Sequence, residues 1–281
     1  MLFSCEGETL LGVLALPRAD QPTGDTGLVV IVGGPQYRVG SHRQFLQLAR
    51  HLADAGVPVL RFDVRGMGDS TGDLHTFENI DQDIAAAIDA LQREAPQVKR
   101  VVLWGLCDGA SAALLYCHAT QDARVRGLCL LNPWVRSQAS LARAHVKHYY
   151  TDRLKQKEFW AKLLSGKVAG TAIQGLWRNL RDMRAGAGEG GVAHDLPFQQ
   201  RMAIAWKRFQ GPIMLGLSGN DYTAKEFLEY TSADPAWSGL LDLPQVFRCD
   251  MPGVDHTFSN AAAKAQLQEA TLSWLREHVT G

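Results

Sequence analysis

The sequence predicts an α/β fold: a mostly parallel central sheet with helices on both faces. Three observations carry this. Short apolar runs of strand length alternate with amphipathic helical stretches through the first half of the chain, the pattern of right-handed crossovers between parallel strands. The run Val101 to Leu115 passes abruptly from strand-like to helix-like through Gly105-x-Cys107-x-Gly109. The alternation stops after Asn132 and resumes at Pro212, so an insertion separates two parts of one sheet.

Taken in order, Leu10 to Leu16 reads as a first strand between Gly7 and Pro17, followed by a polar turn over 18–27. Leu28 to Val32 is an unbroken apolar run, suited to a strand buried on both faces, and it ends in Gly33-Gly34-Pro35-Gln36. A helix is expected from about Ser41 to Ala55, with Phe45, Leu48, Ala49 and Leu52 on one face and Gly56 as the stop. Pro58 to Phe62 is the next strand and runs into a Gly-rich loop, Asp63 to Gly72. The Gly66-x-Gly68-Asp69-Ser70 spacing fails the dinucleotide pattern, so this loop is read as a structural turn. Glu78 to Leu91 is an amphipathic helix that turns Ile80, Ile84, Ala87, Ile88 and Leu91 inward. Val101 to Trp104, Ala110 to His118 and Gly127 to Asn132 then read as strand, helix and strand. From Trp134 to Gln210 the pattern is helices and loops, with a loop in the Gly-rich run Ala185 to Gly191. Pro212 to Leu217 resumes the sheet, Lys225 to Tyr230 is helical, Gln245 to Cys249 is a last strand and Ala261 to Val279 a last helix. The expected division is a core of 1–133 and 211–281 with a helical cap or lid, 134–210, between them.

Composition narrows the function classes. Lys and Arg number 29 and Asp and Glu 29, a formal net charge of +0, so nothing global points to nucleic acid. The five Cys lack paired short spacings, which argues against a disulfide framework or a Cys-based zinc site and for a reducing compartment. Glu6 and Glu8 precede the first apolar run, and no apolar stretch is long enough to span a bilayer, so a cytoplasmic protein is expected. No cofactor or metal is expected. The neutral total hides an asymmetry: between Arg136 and Arg208 stand 14 Lys and Arg against 5 Asp and Glu, leaving 15 against 24 elsewhere. The plain reading is solvated helix faces salt-bridged to the body. The sharper one is attraction to an anionic substrate or peripheral contact with an anionic membrane, with Phe159, Trp160, Leu163, Leu164, Trp177 and Trp206 as apolar surface.

The turn at Cys107 has the spacing of a nucleophile elbow with Cys in place of Ser. The helix behind it aims N–H groups and a positive partial charge at the sulfur, which favours thiolate. A structural Cys in a tight turn is the alternative. A nucleophilic Cys needs a base, and the base an orienting acid. His256, in Met251-Pro252-Gly253-Val254-Asp255-His256, sits just past the last strand, at the edge where open α/β sheets bind ligands. His42, His51, His118 and His278 read as helix positions, and His145, His148 and His194 fall in the insertion. Asp221, after the strand ending at Leu217, is the expected acid, with Asp255 and Glu226 as rivals and an Asx turn as its structural reading. The oxyanion donors are expected to be the Asp108 N–H and that of Gly34 or Gln36, since Pro35 has none. Tyr37 and Arg38 are placed to reach the substrate.

Together these residues resemble the α/β-hydrolase family over nearly the whole chain. The resemblance rests on Gly105-x-Cys107-x-Gly109, Arg65-Gly66-Met67-Gly68-Asp69-Ser70, Asp221 and Asp255-His256 in family order. The Cys nucleophile is similar to that of dienelactone hydrolase. Val32 to Arg43, Trp104 to Asp108 and Leu131-Asn132-Pro133-Trp134-Val135-Arg136 are similar to the exosortase A system-associated hydrolase 1 group, whose members accompany bacterial exopolysaccharide synthesis and protein sorting. Trp134 joins Tyr37 and Arg38 as a substrate-contact candidate. The resemblance implies a catalytic Cys107 and a hydrolase acting on an ester, thioester or lactone of a small-molecule, lipid-linked or sugar-linked acyl substrate through an acyl-Cys intermediate. An acyltransferase using the same intermediate and a non-catalytic partner-binding protein on the same fold are the alternatives.

Overall fold

The continuous apolar runs become the middle of one eight-stranded sheet. The computed structural model describes residues 1–21, 23–34, 36–136 and 196–280. Its strands are β1 (Leu2–Cys5), β2 (Glu8–Ala15), β3 (Thr26–Ile31), β4 (Val59–Phe62), β5 (Arg100–Leu106), β6 (Val125–Leu131), β7 (Ile213–Asn220) and β8 (Val246–Asp255). They lie in the order β1-β2-β4-β3-β5-β6-β7-β8. β2 runs antiparallel to both β1 and β4, and every pair from β4 across to β8 is parallel.

Side-chain alternation then builds two cores. Val29 and Ile31 of β3, Val101 and Leu103 of β5, and Leu128 and Leu130 of β6 face one side. They meet α2 (Asp81–Glu94), α3 (Asp108–Thr120), α4 (Phe198–Arg208) and α5 (Tyr222–Ala233). Leu28 and Val30, Val102 and Trp104, and Cys129 and Leu131 face the other, against α1 (Gln44–Asp54) and α6 (Ala261–His278). Both faces of the central strands are therefore dry, which is why they read as unbroken apolar runs rather than alternating ones.

The structure departs from the sequence reading at three places. A strand precedes the expected first one: β1 pairs with β2 across Glu6 and Gly7, both at positive φ, as a two-residue hairpin demands. The first expected helix is broken at its start, because His42 and Arg43 take left-handed φ of 52° and 60° and the α-helix begins only at Gln44. The body resumes at Leu196 rather than at 211. α4, expected in the insertion, buries Met202 and Trp206 in the main core, and Trp206 Nε1 donates to Leu240 O at 2.9 Å. Trp206 is thus a core residue and not lid surface. The other insertion residues named above, from Phe159 to Trp177 and the Ala185–Gly191 run, lie outside the described residues.

Candidate active site

The register of the parallel strands brings five distant stretches together at the carboxyl edge of the sheet. Ile31 pairs with Gly105, Leu106 with Leu131, and Asn220 with Asp255. The residues just beyond these pairs are Gly33-Gly34, Cys107, Asn132, Asp221 and His256.

Cys107 sits between β5 and α3 at φ 63°, ψ −126°, a conformation costly for a residue with a side chain. Its surroundings hold it there. Cys107 N donates to Leu131 O at 2.9 Å, and Cys107 O accepts from Ala110 N at 3.1 Å and Trp134 N at 3.2 Å. The turn is so tight that a Cβ on Gly105 would lie 2.4 Å from the Gly109 carbonyl carbon. One on Gly33 would lie 2.2 Å from an Asp108 carboxyl oxygen. The glycines are there for space, and the half-buried sulfur stands at the first turn of α3.

Asp221 divides its two oxygens between two jobs. Oδ1 accepts from Thr223 N at 2.9 Å, capping α5, and Oδ2 lies 2.6 Å from His256 Nδ1. One buried carboxylate therefore makes both the Asx-turn bond and the bond to His256. Asp255, the rival, is turned onto its own loop, accepting from Thr257 N at 2.9 Å and from the Ser259 hydroxyl. The pKa of the His256 imidazole is raised from 6.5 to about 10, by Asp221 first and by the neighbouring Cys107 second, against the opposing effect of burial. The arrangement can move a proton between sulfur and imidazole while the carboxylate fixes the ring's orientation.

The N–H groups expected to hold a substrate oxygen are those of Asp108 and of Gly34 or Gln36. The Asp108 N–H is the first of α3 and has no carbonyl partner within the helix. Gln36 N–H, one of the two further candidates, is spent within its own loop on Gly34 O at 2.8 Å, and its side-chain oxygen accepts from Ser41 N at 3.0 Å. Gly34 is the other candidate that the sequence offered. The Asp108 side chain, absent from the sequence reading, turns back beside these amides. Its Oδ1 is buried with no hydrogen-bond partner. Burial raises its pKa above the usual carboxylate value, against the pull of the Gly34, Asp108 and Gly109 amides and of His256.

The substrate-contact candidates separate. Tyr37 is 48% exposed and lines a cavity beside the elbow. Arg38 is not among the cavity residues; its guanidinium is paired with Asp63 and Asp69. Asp63 also accepts from Asp69 N at 3.0 Å, so the Gly-rich loop folds around this carboxylate as a structural turn. Trp134 packs partly buried on the core, and its carbonyl accepts from Ser111 Oγ at 2.7 Å, so it braces the elbow. Two residues escaped the sequence reading. His75 lines the cavity, and buried Asn132 bonds Ser218 in both directions, at 3.0 and 2.8 Å, joining the ends of β6 and β7. Asn132 follows a strand as an isolated polar residue, the one signal that could have marked it. Among the described residues no cluster of three or more His, Cys, Asp or Glu is arranged to hold a metal ion.

Sheet order, elbow and the His256–Asp221 pair define the class: an α/β-hydrolase. The chain belongs to the serine aminopeptidase, S33 family (Hydrolase_4), whose model matches residues 25–177, over half its length. It is 32% identical over 141 residues to human protein ABHD12B, a match covering 48% of this chain and only 38% of that one. Similar solved structures include the esterase Est1E from Butyrivibrio proteoclasticus with bound ferulic acid, at TM-score 0.63 and 15% identity over 100% of both chains. The esterase Pf2001 of Pyrococcus furiosus has TM-score 0.62 and 15% identity over 100% of this chain and 92% of that one. A serine hydrolase homologue from Coxiella burnetii has TM-score 0.57 and 14% identity over 98% and 96%. At such identities these structures share the fold. The family is named for serine; this chain carries Cys107 at the elbow.

Proposed function

We propose that this hydrolase cleaves carboxylic esters or thioesters through Cys107, His256 and Asp221. One observation carries the reading: the His256 ring is held by the Asp221 carboxylate at 2.6 Å, and Cys107 lies near enough to raise the pKa of the same imidazole. The proton shared by Cys107 and His256 rests on the imidazole as the sulfur bonds to the substrate carbonyl carbon. The oxygen takes the electron pair and is held by the Asp108 and Gly34 N–H groups. The tetrahedral species expels the alcohol or thiol, which leaves with the proton from His256. Water then attacks the acyl-sulfur carbon and gives its proton to His256, and the carbon–sulfur bond breaks as the thiol reforms. Amides are poor substrates for this site, because sulfur leaves the tetrahedral species more readily than an unprotonated amine. The sequence resemblance to exosortase A system-associated hydrolases implies a bacterial setting, alongside exopolysaccharide synthesis and protein sorting.

The test is turnover of p-nitrophenyl acetate by wild type, Cys107→Ala and His256→Ala. Each variant is expected to lose about a thousandfold or more in kcat, and iodoacetamide is expected to label Cys107 more slowly when His256 is Ala. Undiminished turnover by Cys107→Ala would reject the nucleophile.

A further inference from the structure

The cavity beside the elbow has a volume of about 770 Å³, within the range of small-molecule sites, about 300–1,000 Å³. Gly34 and Asp108, the residues of the two candidate oxyanion donors, are among its lining residues. With them are Val64, Met67, Leu74, Phe77 and Ile80 from the segment between β4 and α2, and Tyr37. These side chains are hydrocarbon, aromatic or thioether.

Which half of an ester this space receives follows from where the proton goes. The departing alcohol or thiol takes its proton from His256, so it lies against the loop between β8 and α6. No residue of that loop lines the cavity. The cavity therefore lies on the side of the acyl group, the half that stays on sulfur. Its charge follows from its lining. Among the described residues no Lys or Arg lines it, and Glu78, an acidic wall residue, is paired with Arg201 of α4. Its other polar lining residues are Gln36, His75, Thr76 and Asp108, so no guanidinium or ammonium group stands on its described walls to pair with a phosphate, a sugar acid or a free carboxylate.

We infer that this cavity is the acyl site and that the substrate's acyl group is an uncharged, predominantly hydrocarbon chain. This rests on the Cys107 hydrolase reading and adds the substrate class to it. Each methylene that enters leaves water, and burial of one is worth about 0.8 kcal/mol, or about fourfold in rate.

The experiment compares kcat/KM for p-nitrophenyl esters from acetyl through butyryl and hexanoyl to octanoyl, with succinyl as the charged counterpart of butyryl. A second series holds the acyl group at acetyl and lengthens the alcohol. The acyl series is expected to rise by about fourfold per methylene, the alcohol series to stay flat, and succinyl to fall at least about tenfold below butyryl. Leu74 is 71% exposed, so Leu74→Asp is compatible with folding; it is expected to cut the octanoyl-to-acetyl ratio about tenfold or more. A flat acyl series, a rise that follows the alcohol, or preference for succinyl would overturn the assignment while Cys107-dependent acetyl hydrolysis left the hydrolase reading standing. Hydrolysis that survives Cys107→Ala, or none with any ester, would overturn both.

Discussion

At the scale of single residues, charge on His256 is sustained by its neighbours. Its value of about 10 lies above the ordinary 6.5, chiefly through Asp221. A raised folded-state pKa means the charged ring stabilises the fold fully below about pH 6.5, and that this contribution fades as pH rises through about 10. Asp221→Asn removes the main cause. Urea unfolding is therefore expected to show wild type more stable than the variant near pH 6, with the gap narrowing toward pH 10. Asp108 works with the opposite sign. Its burial favours the neutral carboxyl, and ionisation would place negative charge beside the developing oxyanion, with His256 the titrating group that faces it. Asp108→Asn keeps the shape and removes the charge. The ratio of variant to wild-type kcat/KM is expected to climb with pH, and a pH-independent ratio would rule out this role.

At the scale of elements, α4 illustrates what a sequence conveys and what it withholds. Trp206, Trp237 and Phe227 form an aromatic knot, with Trp206 and Trp237 ring centres 5.5 Å apart. Trp206→Ala is expected to cost about 3–5 kcal/mol of stability in denaturant unfolding, whereas a lid residue would cost far less. Its helix is amphipathic either way, so spacing alone could not say which surface it covers. The central strands were legible because Leu28 to Val32 and Gly127 to Asn132 are dry on both faces. β1 was not, since four residues ending in a charged turn carry little periodic signal. Cys107, Asp221 and His256 could be picked out because each follows a recognisable strand. The loss of Gln36 N–H to a local turn, and of Arg38 to Asp63 and Asp69, depends on loop conformation that residue types do not encode.

At the scale of the whole molecule, the two parts of the body that precede and follow residues 137–195 in the chain bond directly to each other. Gln199 Nε2 donates to Val135 O at 2.9 Å, so the two sides of that stretch already meet. Replacing 137–195 by a short Gly-Ser linker is expected to leave one cooperative thermal transition and native near-ultraviolet circular dichroism; a non-cooperative melt would show that the body depends on it. Among the described residues no helix is long and apolar enough to cross a membrane. The active constellation is gathered from Gly34 to His256, across most of the chain, by strands whose pairing is largely non-local. During synthesis the N-terminal portion emerges first, so the sulfur exists for some time without its imidazole. On the proposed mechanism a nascent chain that stops before β8 is expected to be inert, and in refolding the return of turnover should trail the burial of Trp104. Enzymatic activity thus becomes a clock for the final strand to dock.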